Sequence, residues 1–160
     1  MFRTLNLLRK SSKAASATPM GRNIPTKWQS GVSEFLDAEL LPYTLGGKPE
    51  NIHLAWFGDK VLGFHVAESI FSLFGSSLHR GVATEILSRA VSNRFMKENV
   101  DILLPVLSKA QDLEPKMTDH NVGTIVETAV ARLSLQRRSA EIKDLAQFLL
   151  PQAVIGEVRE

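Results

Sequence analysis

Two carboxylates stand out by their neighbours. Asp59 follows Gly58 inside the most apolar stretch of the chain, and Glu127 is flanked one helical turn away on either side by Gly123 and Ala131. A carboxylate withdrawn from water is costly unless it is paired or bound to a metal ion, so an acid in such a run points to one of those two uses. Small residues on both sides of Glu127 permit a second helix to come close. Each acid also has a plainer reading. Asp59 fits an exposed helix edge or a hydrogen bond to a neighbouring turn. Lys60 is expected to point elsewhere, because adjacent helical residues do not face each other. Thr124-Ile-Val-Glu127 fits the S/T-x-x-E capping box, in which Glu127 closes a helix start.

Other chemistries lack their residues. Gly46-Gly47-Lys48 misses the upstream Gly and the following Ser/Thr of a phosphate-binding loop. His53, His65, His79 and His120 form no H-x-x-x-H pair and read as surface or packed residues, not ligands. No serine lies in a G-x-S-x-G elbow. With no cysteine in the chain, disulfide scaffolds, thiolate zinc sites, iron–sulfur clusters and cysteine nucleophiles are excluded. Neither a metal site nor a cofactor is expected.

The elements that must position the two acids read as helices throughout. Residues 52–74 carry Leu54, Trp56, Phe57, Val61, Leu62, Phe64, Val66, Ile70, Phe71 and Phe74 on nearly all faces, which predicts a central, buried helix. Val82, Ile86 and Ala90 with Ala83, Leu87 and Val91 predict one helix over 82–98. Val122, Ile125, Val126, Ala129, Val130 and Leu133 predict another, ending near Leu135. Ser139 can cap a last helix with Ile142, Leu145, Ala146 and Leu149 inward, stopped by Pro151. A short helix is expected from Ser33 to about Leu41, preceded by a linker over 19–31 with Pro19, Gly21, Pro25 and Gly31. The fold class is all-α, one domain over 32–160. No apolar run approaches the ~18 residues of a membrane span.

Charge is divided unevenly. Arg3, Arg9, Lys10, Lys13, Arg22 and Lys27 precede Ser33 with no acid among them, which leaves 13 basic against 17 acidic residues in the remainder, a balance of −4. Acid-free, containing Arg, Ser and Ala, and able to place Phe2, Leu5 and Leu8 on one helical face, the opening has the composition of a mitochondrial import segment. The alternative is a basic arm that touches RNA or a partner. Those six residues are therefore the first RNA-binding candidates. Arg137 and Arg138, ahead of the last helix, are the second, with a solvated loop as their ordinary reading.

Asn51-Ile-His-Leu54-Ala-Trp-Phe-Gly58-Asp59-Lys-Val61-Leu62-Gly63 resembles the signature helix of the ribonuclease III family, N-E-R-L-E-F-L-G-D-A-V-L-G. Leu87-Ser-Arg89-Ala90-Val91-Ser92-Asn93 is similar to the family's L-x-R-A-x-L-V-S-N, slightly contracted. Glu127 and the residues after it fall where the family has D-x-x-E-A-L-I-G-A, and Ser139 to Pro151 matches its closing helix. The resemblance covers roughly Ser33 to Val154 and implies a ribonuclease III-like helical endonuclease domain. It also implies two acidic pairs, at i, i+4 and at i, i+3, that hold divalent metal for cleavage of double-stranded RNA. Here the four positions are Ala55, Asp59, Thr124 and Glu127, so two of the four carboxylates are lost. Removing two anions from a hard-cation site weakens both binding and geometry. The expectation is a non-catalytic chain in which Asp59 and Glu127 are vestigial or pair with a partner's Lys or Arg.

With its import-like opening, the chain resembles the degenerate ribonuclease III-like proteins of the mitochondrial large ribosomal subunit. The expected function is a structural part of that subunit in the matrix, binding ribosomal RNA and mitochondrial ribosomal proteins. The alternatives are a pseudoenzyme subunit of an RNA-processing, RNA-editing or ribosome-assembly complex, and an active double-strand ribonuclease. Family members pair through the signature helix, where Trp56, Phe57 and Phe64 supply apolar surface. Ile52 replaces the motif's acid, which favours a heterodimer with another ribonuclease III-like chain.

Overall fold

A computed structural model describes residues 24–35, 49–105 and 118–157. Helix is the only regular structure among them, as the sequence pattern predicts. The helices are α1 (Thr26–Phe35), α2 (Pro49–Phe74), α3 (Arg80–Ala90), α4 (Asn93–Glu98), α5 (Val100–Leu103), α6 (Asp119–Leu135) and α7 (Ser139–Glu157). None is long and apolar enough to cross a membrane.

The centre of the fold is α6, not α2. Nine of its residues are buried, from Val122 and Gly123 to Ala131 and Leu133. It packs against α2 most extensively, and also against α4, α7 and α1. Its small side chains let neighbours approach from several directions. By contrast α2 buries one stripe, Ala55, Gly58, Leu62, Val66 and Ile70. Ile52, Trp56, Phe64 and Phe71 remain in solvent, so the apolar character of 52–74 marks a two-sided helix and not a central one. The core gathers Leu62, Val66, Ile86, Met96, Leu103, Val126, Val130, Leu145 and Leu149 around α6. Burial of each such side chain contributes about 1.5–3 kcal/mol.

Three helix boundaries depart from the pattern. The 82–98 segment is two helices, because the Ser92 hydroxyl accepts the Phe95 N–H and starts α4 anew. Residues 26–31 are not linker. They form most of α1, whose Trp28 is fully buried and donates its indole N–H to the Leu103 carbonyl at 3.0 Å. Gly31 is there for packing, since a Cβ would lie 3.2 Å from both Leu133 and Glu141. The rest of the expected 33–41 helix, 36–41, lies outside the described residues. At the other end, α7 runs through Pro151 to Glu157. A proline removes one amide donor from a helix but does not forbid it, and Leu145, Leu149 and Leu150 anchor the preceding turns in the core.

Candidate functional site

The site is made where α2 crosses α6. Gly58 is buried at the crossing, and a Cβ there would overlap the Glu127 carbonyl and press on the Ala131 amide at 3.1 Å. The two backbones are therefore in direct contact, a distance only glycine allows. Gly123 makes a second close approach one turn earlier on α6, where a Cβ would run into the Asn93 side chain at the start of α4. These two contacts fix the height and rotation of α6 against α2 and α4, and with them the position of Glu127.

Asp59, next to Gly58, and Glu127 consequently lie within each other's field. Burial is the main cause that lifts the Glu127 carboxyl from its ordinary 4.5 to about 7; the Asp59 charge adds to the rise, and Lys60 opposes it. The Lys60 ammonium bonds Asp59 at 2.7 Å, and that bond, reinforced by the charges of Asp59 and Glu127 against a small cost of burial, holds the lysine above its usual range. Lys60 thus does not point away from Asp59. Its long flexible stem carries the ammonium back around the helix, which the rule for short adjacent side chains does not anticipate. Nor is Glu127 a cap: α6 begins at Asp119, and the Thr118 hydroxyl accepts the Asn121 N–H there, two turns ahead of Glu127. Asp59 is partly exposed, in keeping with its place at the edge of the buried stripe.

Ala55 is buried one turn before Asp59, and Thr124 is half-buried three residues before Glu127. The four positions thus contribute two carboxylates, a methyl and a hydroxyl. A hard divalent cation requires several oxygen ligands, preferably anionic. Two carboxylates, one of them bonded by the Lys60 ammonium, with a methyl and a hydroxyl fall short of the anionic oxygens such an ion takes. Among the described residues no other His, Asp or Glu gathers with them into a group of three. What the arrangement can do is hold one proton near neutrality, between an ion pair and a buried helix crossing. Lys60 and Asn93 are the site residues that spacing missed. A lone lysine in an apolar run was the available signal for the first.

The basic candidates separate. Arg3, Arg9, Lys10, Lys13 and Arg22 lie outside the described residues. Lys27 is exposed on α1. Arg138 turns inward, with its guanidinium bonding Glu34 at 2.6 and 3.1 Å and Glu141 at 2.8 Å, which raises its pKa further. Arg137 is exposed and adopts the left-handed φ of 59° that ends α6, with the Arg138 N–H reaching back to the Leu133 carbonyl. Of the two adjacent arginines, Arg138 is thus engaged by two carboxylates while Arg137 is exposed.

On the outer face of α2, Trp56 and Phe64 are each 65% exposed and Phe71 is 70% exposed, while Phe57 is half-buried. Lys60, held by Asp59, and the exposed Glu68 are charges one turn from these aromatic residues. No family model, no curated protein and no solved structure matches the chain.

Proposed function

We propose that the chain is a non-catalytic structural protein of the mitochondrial large ribosomal subunit, built on a degenerate ribonuclease III-like domain. The observation that carries this is the α2–α6 crossing. Asp59 and Glu127, the two acids kept by the resemblance, meet there with Lys60 as their counter-ion, and Ala55 and Thr124 leave no carboxylate to complete a metal cage. The chemistry that would cut RNA needs an activated water on a hard cation. In this chain the pair serves packing and charge balance.

The exposed aromatic stripe on α2 supports a protein partner, which we take to be another ribonuclease III-like chain. Apolar surface of this kind on one long helix marks an interaction face. Ribosomal RNA and neighbouring mitochondrial ribosomal proteins complete the surroundings. Sedimentation of tagged protein from mitochondrial lysate tests the proposal. Comigration with the large ribosomal subunit through a high-salt wash is expected. Recovery only in lighter particles overturns it in favour of a processing, editing or assembly complex. Duplex RNA should stay intact with Mg²⁺ or Mn²⁺, and metal-dependent cutting abolished by Glu127→Gln would make the chain an enzyme.

A further inference from the structure

Beside the aromatic stripe, α2 and α7 leave an open cleft of about 420 Å³ between them. That lies within the range of small-ligand pockets, roughly 300–1,000 Å³. Leu150, buried, and Leu73, 66% exposed, form its apolar part. The polar groups that α2 contributes can mostly accept, not donate. The Ser69 hydroxyl donates to the His65 carbonyl at 2.9 Å, and the Ser72 hydroxyl donates to the Glu68 carbonyl at 2.8 Å. Both hydroxyl hydrogens are thereby committed within α2, and only oxygen lone pairs remain for a guest. The Glu68 carboxylate is met at one oxygen, by the His65 ring at 3.3 Å and the Lys143 ammonium at 3.6 Å. Among the described residues nothing bonds its other oxygen. At 3.6 Å from Glu68 and with half its side chain in solvent, Lys143 is loosely held. Gln147 completes the cleft and can offer either its carbonyl or its amide.

We propose that this cleft receives an arginine side chain from a docked protein. The guanidinium bonds the open Glu68 oxygen and the Ser69 and Ser72 hydroxyl oxygens, and its methylenes lie on Leu73 and Leu150. Lys143 swings into solvent to admit it. A guanidinium carries five N–H donors in a planar fork, which suits acceptors spread over one helical turn. A lysine guest would bring a compact point charge with fewer donors. An anion would find only Lys143 and the Gln147 amide to meet it, with the Glu68 carboxylate opposed. Glu68 lies one turn from both Phe64 and Phe71, so the cleft adjoins the aromatic stripe. The proposal rests on the reading of that stripe as a protein interface, and it gives the partner a specific anchor.

Acetyl-arginine methylamide is the probe, titrated into the isotope-labelled full chain and followed by amide magnetic resonance. Saturable shifts at Glu68 to Leu73 and at Lys143 to Leu150 are expected, in the millimolar range for so small a guest. Two variants then read the sign of the guest's charge. Glu68→Gln should weaken binding at least about fivefold, through loss of a charge-assisted bond. Lys143→Met removes a competing cation and should tighten binding about two- to threefold. Both side chains are about half exposed, so the fold should tolerate either change. No saturable shift overturns the proposal, as does an equal response to the uncharged acetyl-citrulline methylamide. Weaker binding by Lys143→Met also overturns it and marks an anion site. In lysate, Glu68→Gln should reduce comigration with the partner; unchanged comigration overturns a docked protein as the source of the arginine. Comigration that survives Trp56→Ser with Phe64→Ser overturns the stripe reading instead, and the titration still reports whether the cleft takes a guanidinium.

Discussion

Glu127 keeps a carboxylate where its neutral form is favoured, and this has a sign in stability. Its folded-state pKa of about 7 lies above the ordinary 4.5, so between those values the folded chain binds more proton than the unfolded one. Stability therefore falls as pH rises through that window. Glu127→Gln should remove the slope: melting temperatures of the variant and the unaltered chain should converge near pH 4.5, with the variant ahead at pH 8. The difference is on the order of 1 kcal/mol once solvent screening of a half-buried group is allowed for. A variant that melts lower at pH 8 would mean that the ionised Glu127 is stabilising. Lys60→Ala should act in the opposite direction and steepen the slope, because Lys60 opposes the rise. Of this arrangement, the closeness of Glu127 to another helix was legible in Gly123 and Ala131. The Lys60 contact was not, because it depends on the conformation of a four-carbon stem that no spacing rule encodes.

At the scale of the helix, three glycines separate packing from propensity. Gly58→Ala would drive a methyl into backbone that cannot move without shifting α6, and should lower stability by about 3 kcal/mol. Gly123→Ala meets the Asn93 side chain, which can rotate, so about 1–2 kcal/mol is expected. Gly63→Ala finds open space on the outer face of α2 and should gain up to about 1 kcal/mol from helix propensity. Urea midpoints of the three variants check the order, and an equal loss at all three would remove the close crossing from the account. Helix was readable for α2, α3, α6 and α7, where apolar residues recur at helical spacing or fill a long run, but not for most of α1. The centre was not, since hydrophobicity singles out α2, while centrality went to α6 through its Gly and Ala residues. Pro25 and Gly31 read as linker punctuation. In the fold Pro25 precedes the first turn of α1, and Gly31 makes room for Leu133 and Glu141. The break at Ser92 was hidden, because the apolar stripe runs on across it.

For the whole molecule, the outer stripe of α2 separates self-sufficiency from assembly. Trp56→Ser with Phe64→Ser changes side chains that are mostly in solvent, so the melting temperature should hold to within the equivalent of about 0.5 kcal/mol. Sedimentation with a partner should be lost. Retained comigration would move the interface away from α2, and a large fall in melting temperature would show that the stripe supports the monomer. A different consequence follows from the enclosure of α6. Val126, Thr128, Ala129 and Val130 are buried in a helix that packs against four others, α2, α4, α7 and α1. Their deuterium uptake should track global unfolding, with the same dependence on denaturant as the full transition. The amides of α3, which has only Ile86 and Ala90 buried, should exchange through smaller openings and report them first.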